Sequence, residues 1–186
     1  MTKTDNSIIE SVLSGNTNDF AVLVDRYKNR VFSLVYGVLK DYELSQEVAQ
    51  DVFVKSYSSL NKFRRDSSFS TWIYRISYNT AISETRKKKV YKMDYNDEIQ
   101  EALHDDSQQE AIRKEEDQQK LNRALSALPA DERMIIELYY FEEKAITEIC
   151  DITGMGESNI KVKLHRLRKK LKELIGEINK KEFAVL

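Results

Sequence analysis

The sequence is poor in the residues that shape sheets and staple small domains. One proline and five glycines in 186 residues leave little of the turn chemistry that hairpins require, so an all-α fold is expected. A single cysteine excludes an intramolecular disulfide framework, and Cys150 with two distant histidines, His104 and His165, argues against a structural zinc site. Cys150 reads as a small buried residue. No apolar segment of signal-peptide type opens the sequence, and no run approaches the roughly 18 apolar residues of a membrane span. A soluble, cytoplasmic protein is expected. The sequence also has no metal-ligand cluster, nucleophile triad or phosphate loop, so neither catalysis, a cofactor nor a small-molecule substrate is indicated.

What the chain has in quantity is charge, at 33% of residues, and its formal net charge of −1 hides an uneven distribution. Residues 1–90 carry 14 basic and 10 acidic side chains, residues 91–118 carry 3 and 10, and residues 119–186 carry 13 and 11. Two basic blocks therefore flank an acidic one. The middle block loses apolar periodicity and holds too little apolar surface to offset the entropy of ordering it, which predicts a flexible acidic linker with helix resuming after Gln108.

The segment Lys144 to Leu174 has the pattern of a short helix, a glycine-punctuated turn and a long basic helix. Ile160, Leu164, Leu167, Leu171, Leu174 and Ile178 recur at helical spacing and form a stripe that must be buried. Between them stand Lys161, Lys163, Arg166, Arg168, Lys169, Lys170 and Lys172, with Glu157 as the opposing charge up to Lys172. Gly154 and Gly156 bracket Met155 in a turn suited to positive φ, after a helix marked by Ile146, Ile149, Cys150 and Ile152. A one-signed outer face is usually only a solvated one. Together with the tight turn, it points to a helix-turn-helix that enters a DNA groove.

Upstream, Asp5 to Leu13 predicts a short helix stopped at Gly15. A longer one capped by Asn18 or Asp19 buries Phe20, Leu23, Val24, Tyr27, Val31, Leu34, Val35 and Val38. A third, from about Glu43 to Leu60, buries Leu44, Val48, Val52, Phe53, Tyr57 and Leu60 and exposes Glu47, Gln50, Asp51 and Lys55. The polar loop Asn61 to Ser68 follows, with Phe63 available either for stacking or as a local anchor. A fourth helix, about Phe69 to Lys89, turns Phe69, Trp72, Ile73 and Ile76 inward. Its stripe Ile76, Asn79, Ser83, Arg86 passes from apolar to cationic. Beyond the linker, Leu121, Ala124, Leu125 and Leu128 mark a helix ending at Pro129, and Met134, Ile135, Leu138, Tyr139 and Phe141 mark another. Four helices in so short a unit give a small core of marginal stability.

Several of these segments resemble bacterial sigma factors of the extracytoplasmic-function (ECF) group. FAVLVDRYKNRVF from Phe20 and AQDVFVKSY from Ala49 are similar to the family's first two conserved helices. FRRDSSFSTWIYRISYNTA from Phe63 is the most specific match, and Leu128-Pro129 with NIKVKLHRLRKKL from Asn159 completes the order. The resemblance implies two small helical domains (residues 1–90 and 119–186) on either side of the linker at 91–118, and a subunit that binds core RNA polymerase and promoter DNA. By similarity Gln50, Asp51, Val54 and Lys55 meet the polymerase. Lys62, Phe63, Arg64, Ser67 and Ser68, with Ile76, Asn79, Ser83 and Arg86, recognise the minus-ten element and hold a flipped base of the opened non-template strand, whose unstacking costs a few kcal/mol. Lys161, Val162, Lys163, His165 and Arg166 read the minus-thirty-five duplex, with Lys169, Lys170 and Lys172 nearer phosphates. An anti-sigma partner is also implied. The sequence departs from the family at Ala145 and Gly156, where helix-capping Ser is frequent, and at Glu143, where Gly is usual. Two other readings are a repressor or activator that uses the helix-turn-helix alone, and a helical adaptor with merely solvated basic faces.

Overall fold

A computed structural model describes residues 3–91 and 119–183, with side chains described for 3–87 and 119–177. The acidic linker predicted for 91–118 falls, but for Tyr91, outside the described residues. Among those residues there are helices and turns and no strand. In chain order the helices are α1 (Asp5–Leu13), α2 (Phe20–Leu39), α3 (Tyr42–Ser58), α4 (Phe69–Tyr91), α5 (helical residues 119–126), α6 (Ala130–Ile136), α7 (Ile146–Thr153) and α8 (Glu157–Phe183).

Local chemistry sets most of these boundaries. Thr4 caps α1 by accepting from the Ser7 amide at 3.3 Å, and Asp41 caps α3 by accepting from the Leu44 amide at 3.0 Å. Lys40 ends α2 in the left-handed region at φ 54°, its amide donating to the Tyr36 carbonyl at 2.9 Å. Asp19 precedes α2 as expected, yet its side chain makes no cap bond, because a 3₁₀ turn over Thr17–Asp19 already feeds the chain into the helix. After α6 the helix widens into a π turn over Glu137–Phe141, closed by the Glu142 amide on the Glu137 carbonyl at 3.0 Å.

Helices α1 to α4 form one bundle. Ile8, Leu23, Val31, Val35, Val52 and Ile73 are all fully buried within it. Tyr27 ties α1 to α2 by donating to Asp5 Oδ2 at 2.5 Å, and burial, followed by that bond, drives its phenol above the ordinary range. Helices α5 to α8 form a second unit around Leu125, Met134, Ile135, Leu138, Ile149, Ile160 and Leu164. Two apolar expectations fail. Tyr57 is 44% exposed and leans its edge on Phe20, and Phe141 is 59% exposed because the π turn rotates it outward.

The buried apolar residues of the two units, Ala124 apart, belong to one cluster. Helix α4 packs on α7 and α2 on α6. Besides its expected inner side, α4 therefore buries a second stripe, Thr71, Tyr74, Tyr78 and Ala81, in steps of three, four and three. Its exposed remainder carries Arg75, Asn79, Ser83 and Arg86.

Candidate nucleic-acid and polymerase interface

The helix-turn-helix is built as its sequence suggests, with one difference in the turn. Gly154 alone takes positive φ, at 74°, and its amide donates to the Cys150 carbonyl at 2.8 Å, closing α7; Gly156 does not need a left-handed backbone. Ala145 offers no capping oxygen, so only half of a capping box forms, in which the Ala145 amide donates to Glu148 Oε2 at 3.1 Å. Glu143 adopts φ 50° and fills a left-handed position with a side chain.

On α8, Ile160, Leu164 and Leu167 are buried and Leu171 and Leu174 half-buried, while Lys161, Val162, His165, Arg166 and Lys169 are exposed. Many of the cations are engaged. Lys161 pairs with Glu157 at 2.5 Å and Lys169 with Glu173 at 4.0 Å, and Lys170 lies 3.7 Å from Glu132. Arg168 donates to the Tyr140 hydroxyl at 2.5 Å and sits over the rings of Tyr139 and Tyr140. Lys163 departs from the expected reading edge, because its amine turns back to Asp131 at 3.1 Å and is only 25% exposed. Arg166 and His165 make no hydrogen bond or ion pair among the described residues. The third turn of α8 thus presents an uncommitted guanidinium and imidazole one turn beyond an exposed valine.

In the first bundle, Asn79, Ser83 and Arg86 lie exposed along one side of α4 and Ile76 is half-buried at its root. The loop before α4 presents Lys62, Arg64 and Ser68 to solvent, with Ser67 half-buried. Phe63 is the anchor of the two alternatives: 8% exposed, its ring lies 5.1 Å from Trp72 and 5.9 Å from Phe69, so it is withdrawn from any base outside. Arg65 takes φ 63° and pairs with Glu10 at 2.7 Å, and Arg64 pairs with Asp66 at 3.1 Å where both are largely exposed. Ser68 meets Ser70 and Thr71 at 2.8 and 2.9 Å and accepts from the Thr71 amide, fixing the start of α4. On α3, Gln50, Asp51, Val54 and Lys55 are all exposed, Val54 at 64%. Lys55 reaches the Thr80 hydroxyl at 3.4 Å.

Sequence reasoning missed the groups that join the two units. The Tyr74 hydroxyl donates to Glu142, which also lies 3.8 Å from Arg30. Burial foremost, then the Glu142 bond, pushes the Tyr74 phenol above the ordinary range. Lys144 donates to Ser70 at 2.7 Å and to Glu148 at 3.0 Å, and the Thr71 hydroxyl donates to Glu148 at 2.6 Å. Desolvation works to raise the Glu148 carboxyl, yet the bonds from Thr71, Lys144 and the Ala145 amide hold it below the usual range. The spacing of Thr71, Tyr74, Tyr78 and Ala81 was the available signal. It is a second helical stripe beside the inner one, of which Tyr74 also meets Tyr27 on α2.

A four-helix unit whose last helix exposes Arg75, Asn79, Ser83 and Arg86 is thus followed by a helix-turn-helix with an exposed, largely basic face. Residues 23–90 match the family model for Sigma-70 region 2 and residues 118–171 that for Sigma-70 region 4. The chain is 31% identical over 179 residues to the ECF RNA polymerase sigma factor SigW of Bacillus subtilis, covering 89% of this chain and 96% of that one. It is 33% identical over 174 residues to the ECF RNA polymerase sigma-E factor of Escherichia coli, covering 89% and 91%. Among solved structures the fold is similar to the sigma factor RpoE of Bartonella quintana in complex with the anti-sigma factor NepR (TM-score 0.70, 20% identity, 85% and 97% coverage). It is also similar to CnrH in complex with the cytosolic domain of CnrY (TM-score 0.66, 21% identity, 94% and 99% coverage). The chain belongs to the ECF RNA polymerase sigma factors. It is a non-catalytic, promoter-specific subunit of transcription initiation that binds core RNA polymerase and promoter DNA. Among the described residues, no helix is long and apolar enough to cross a membrane.

Proposed function

We propose that this sigma factor divides promoter recognition between two faces and docks on the polymerase with a third. The observation that carries the reading is the pair of exposed stripes: Asn79, Ser83 and Arg86 on α4, and Val162, His165 and Arg166 on α8, the last two without partners among the described residues. The first stripe, with Lys62, Arg64, Ser67 and Ser68 before it, meets the opened minus-ten strand; hydroxyl and amide groups suit base edges, and cations suit phosphates. Phe63 and Ile76 support this face from beneath. The second stripe reads the minus-thirty-five duplex, where a basic side chain on guanine is worth about 1–3 kcal/mol. Lys163 joins it only by leaving Asp131, and Lys161 and Lys169 add phosphate contacts. Gln50, Asp51, Val54 and Lys55 form the polymerase contact, with Val54 its apolar centre.

The domain limits that follow are residues 1–90 and 119–186, joined by 91–118. Since RNA polymerase works in the cytoplasm, that is where this subunit acts. The structural relatives were solved with an anti-sigma factor and with a cytosolic protein domain, which supports an anti-sigma partner for this chain as well. Photo-cross-linkers placed at Ser83 and at Val162 in a promoter complex with core enzyme test the division. Ser83 should label the non-template strand of the minus-ten element and Val162 the upstream duplex; the reverse labelling overturns it.

A further inference from the structure

The cations of α8 are held in two different ways. Lys161 and Lys169 pair within the helix, with Glu157 and Glu173. Lys163 and Lys170 reach across to another helix, to Asp131 at 3.1 Å and to Glu132 at 3.7 Å. Seven positions apart, these two lysines stand on one flank of α8, about two turns from each other. Asp131 and Glu132 are neighbours in the first turn of α6, so one short acidic edge meets both amines.

That edge has an ordinary use. Carboxylates in a first turn favour the start of a helix, and Pro129 before α6 makes no side-chain cap bond. Such a use needs no partner on α8, yet both carboxylates find their partners on the helix that faces duplex. Toward a polyanion, an amine matched by a carboxylate has no net charge. It brings no counterion release when it nears a phosphate, and a phosphate that draws the amine away meets the carboxylate left behind. Exposed pairs are individually weak, but this effect follows from charge balance and not from the strength of the pair.

We propose that Asp131 and Glu132 set one edge of the duplex-binding face by neutralising the Lys163 and Lys170 flank toward phosphate. The DNA backbone is then taken on the side of Lys169 and Lys172, which stand at least about 100° round the helix from that flank. The two carboxylates are positioning residues. They fix which side of α8 carries phosphate, and they hold down the part of the affinity that every duplex shares. The inference rests on the assignment of α8 to the upstream duplex made above.

Salt titrations of the holoenzyme from about 50 to about 200 mM test it, on a duplex with the upstream element and on a scrambled one. Contacts made by the core enzyme are common to all forms and cancel in the differences. Asp131→Asn with Glu132→Gln should bind both duplexes more tightly by the same factor. Its slope of log affinity against log salt should be steeper by about 1.8, or 0.9 for each freed amine, so that its advantage shrinks about tenfold across the range. A fourfold variant that adds Lys163→Met and Lys170→Met has a flank neutral by deletion instead of by pairing, and should share the parent slope. Asp131→Glu keeps the charge and should keep the parent slope whatever it does to the melting temperature. An unchanged slope in the carboxylate-free form overturns the proposal and leaves the two acids to the start of α6. So does a fourfold variant shallower than the parent by about 1.8, since Lys163 and Lys170 would then carry phosphate in the parent. A slope that follows melting temperature across the variants, and not charge, overturns it as well. If the Arg166→Ala holoenzyme uses the upstream element as well as the parent does, the assignment of α8 has failed and this inference with it, a result that no change at Asp131 or Glu132 produces.

Discussion

Gly37 in the last turn of α2 and Glu137 at the start of the π turn approach so closely that no side chain fits between them. A glycine inside a helix costs about 1 kcal/mol relative to alanine, and here the cost has a structural return. Glu137 is 8% exposed and bonded to Arg133 at 2.9 Å, and it fills the space a Cβ would take. The N-terminal bundle thus carries a local weakness whose use becomes visible only when the second unit docks.

Arg166→Ala should reduce use of the upstream element by about 1–3 kcal/mol while leaving the affinity for core enzyme unchanged. Lys169→Ala should instead weaken binding evenly across sequences and lower the slope of log affinity against log salt by about 0.9. Salt titrations on matched and scrambled duplexes, with the holoenzyme, separate the two.

Val54→Asp should leave thermal stability within about 0.5 kcal/mol, as expected for an exposed position, because the side chain touches mainly solvent at 64% exposure. Binding to core polymerase should fall at least about tenfold, since a carboxylate at the centre of an apolar contact is left desolvated. Co-elution with core enzyme over a concentration series measures it. Wild-type affinity in this variant would remove α3 from that interface.

Glu143→Gly should stabilise the fold by up to about 1 kcal/mol. A side chain in the left-handed region costs about 1–2 kcal/mol, and the added freedom of glycine in the unfolded chain takes back part of the gain. A rise in the unfolding midpoint without change in DNA affinity is the expected outcome, read by calorimetry. A fall would mean that φ 50° at this turn is not strained.

Acid should act on the interface through two carboxyls of opposite sign. Glu148 is held below the usual glutamate range, so its stabilising contribution is present above about pH 4.5 and is lost as pH falls through its lowered pKa. Glu137 is held above that range, chiefly by desolvation, so the stability tied to its protonated form is lost as pH rises through its raised pKa. The gap in unfolding midpoint between the parent and Glu148→Gln should therefore close in acid. The parent should fall behind Glu137→Gln on the alkaline side. A pH series of melting curves on the three proteins checks both slopes.

Each unit was legible in the sequence because each is organised by local periodicity and caps. Phe20 to Val38 showed a helical stripe, the third helix was readable from about Glu43 to Leu60, and Ile160 to Leu174 marked the buried side of α8; the Asp41 cap before α3 was not read. The exposed stripes on α4 and α8 could be read in the same way, as residues left over when the core is filled. Contacts between the units were not legible. Glu142, Lys144 and Glu148 look like ordinary surface charges until the fold brings Tyr74, Ser70 and Thr71 to them. Nor could the sequence tell that Lys163 would turn to Asp131 rather than outward, since both orientations satisfy the same helical spacing. The π turn that leaves Phe141 outward depends on backbone bonding across five residues, as from the Glu142 amide to the Glu137 carbonyl, which side-chain patterning does not record.

The ring of Phe63, seated beneath its own loop, has a kinetic meaning. With Arg65 fastened to Glu10 on one side and Ser68 tied to the first turn of α4 on the other, the segment between has few conformations left to lose. On the minus-ten assignment proposed above, a melted strand would then meet a landing site already set, and capture would be timed by the opening of the DNA rather than by any rearrangement of the protein.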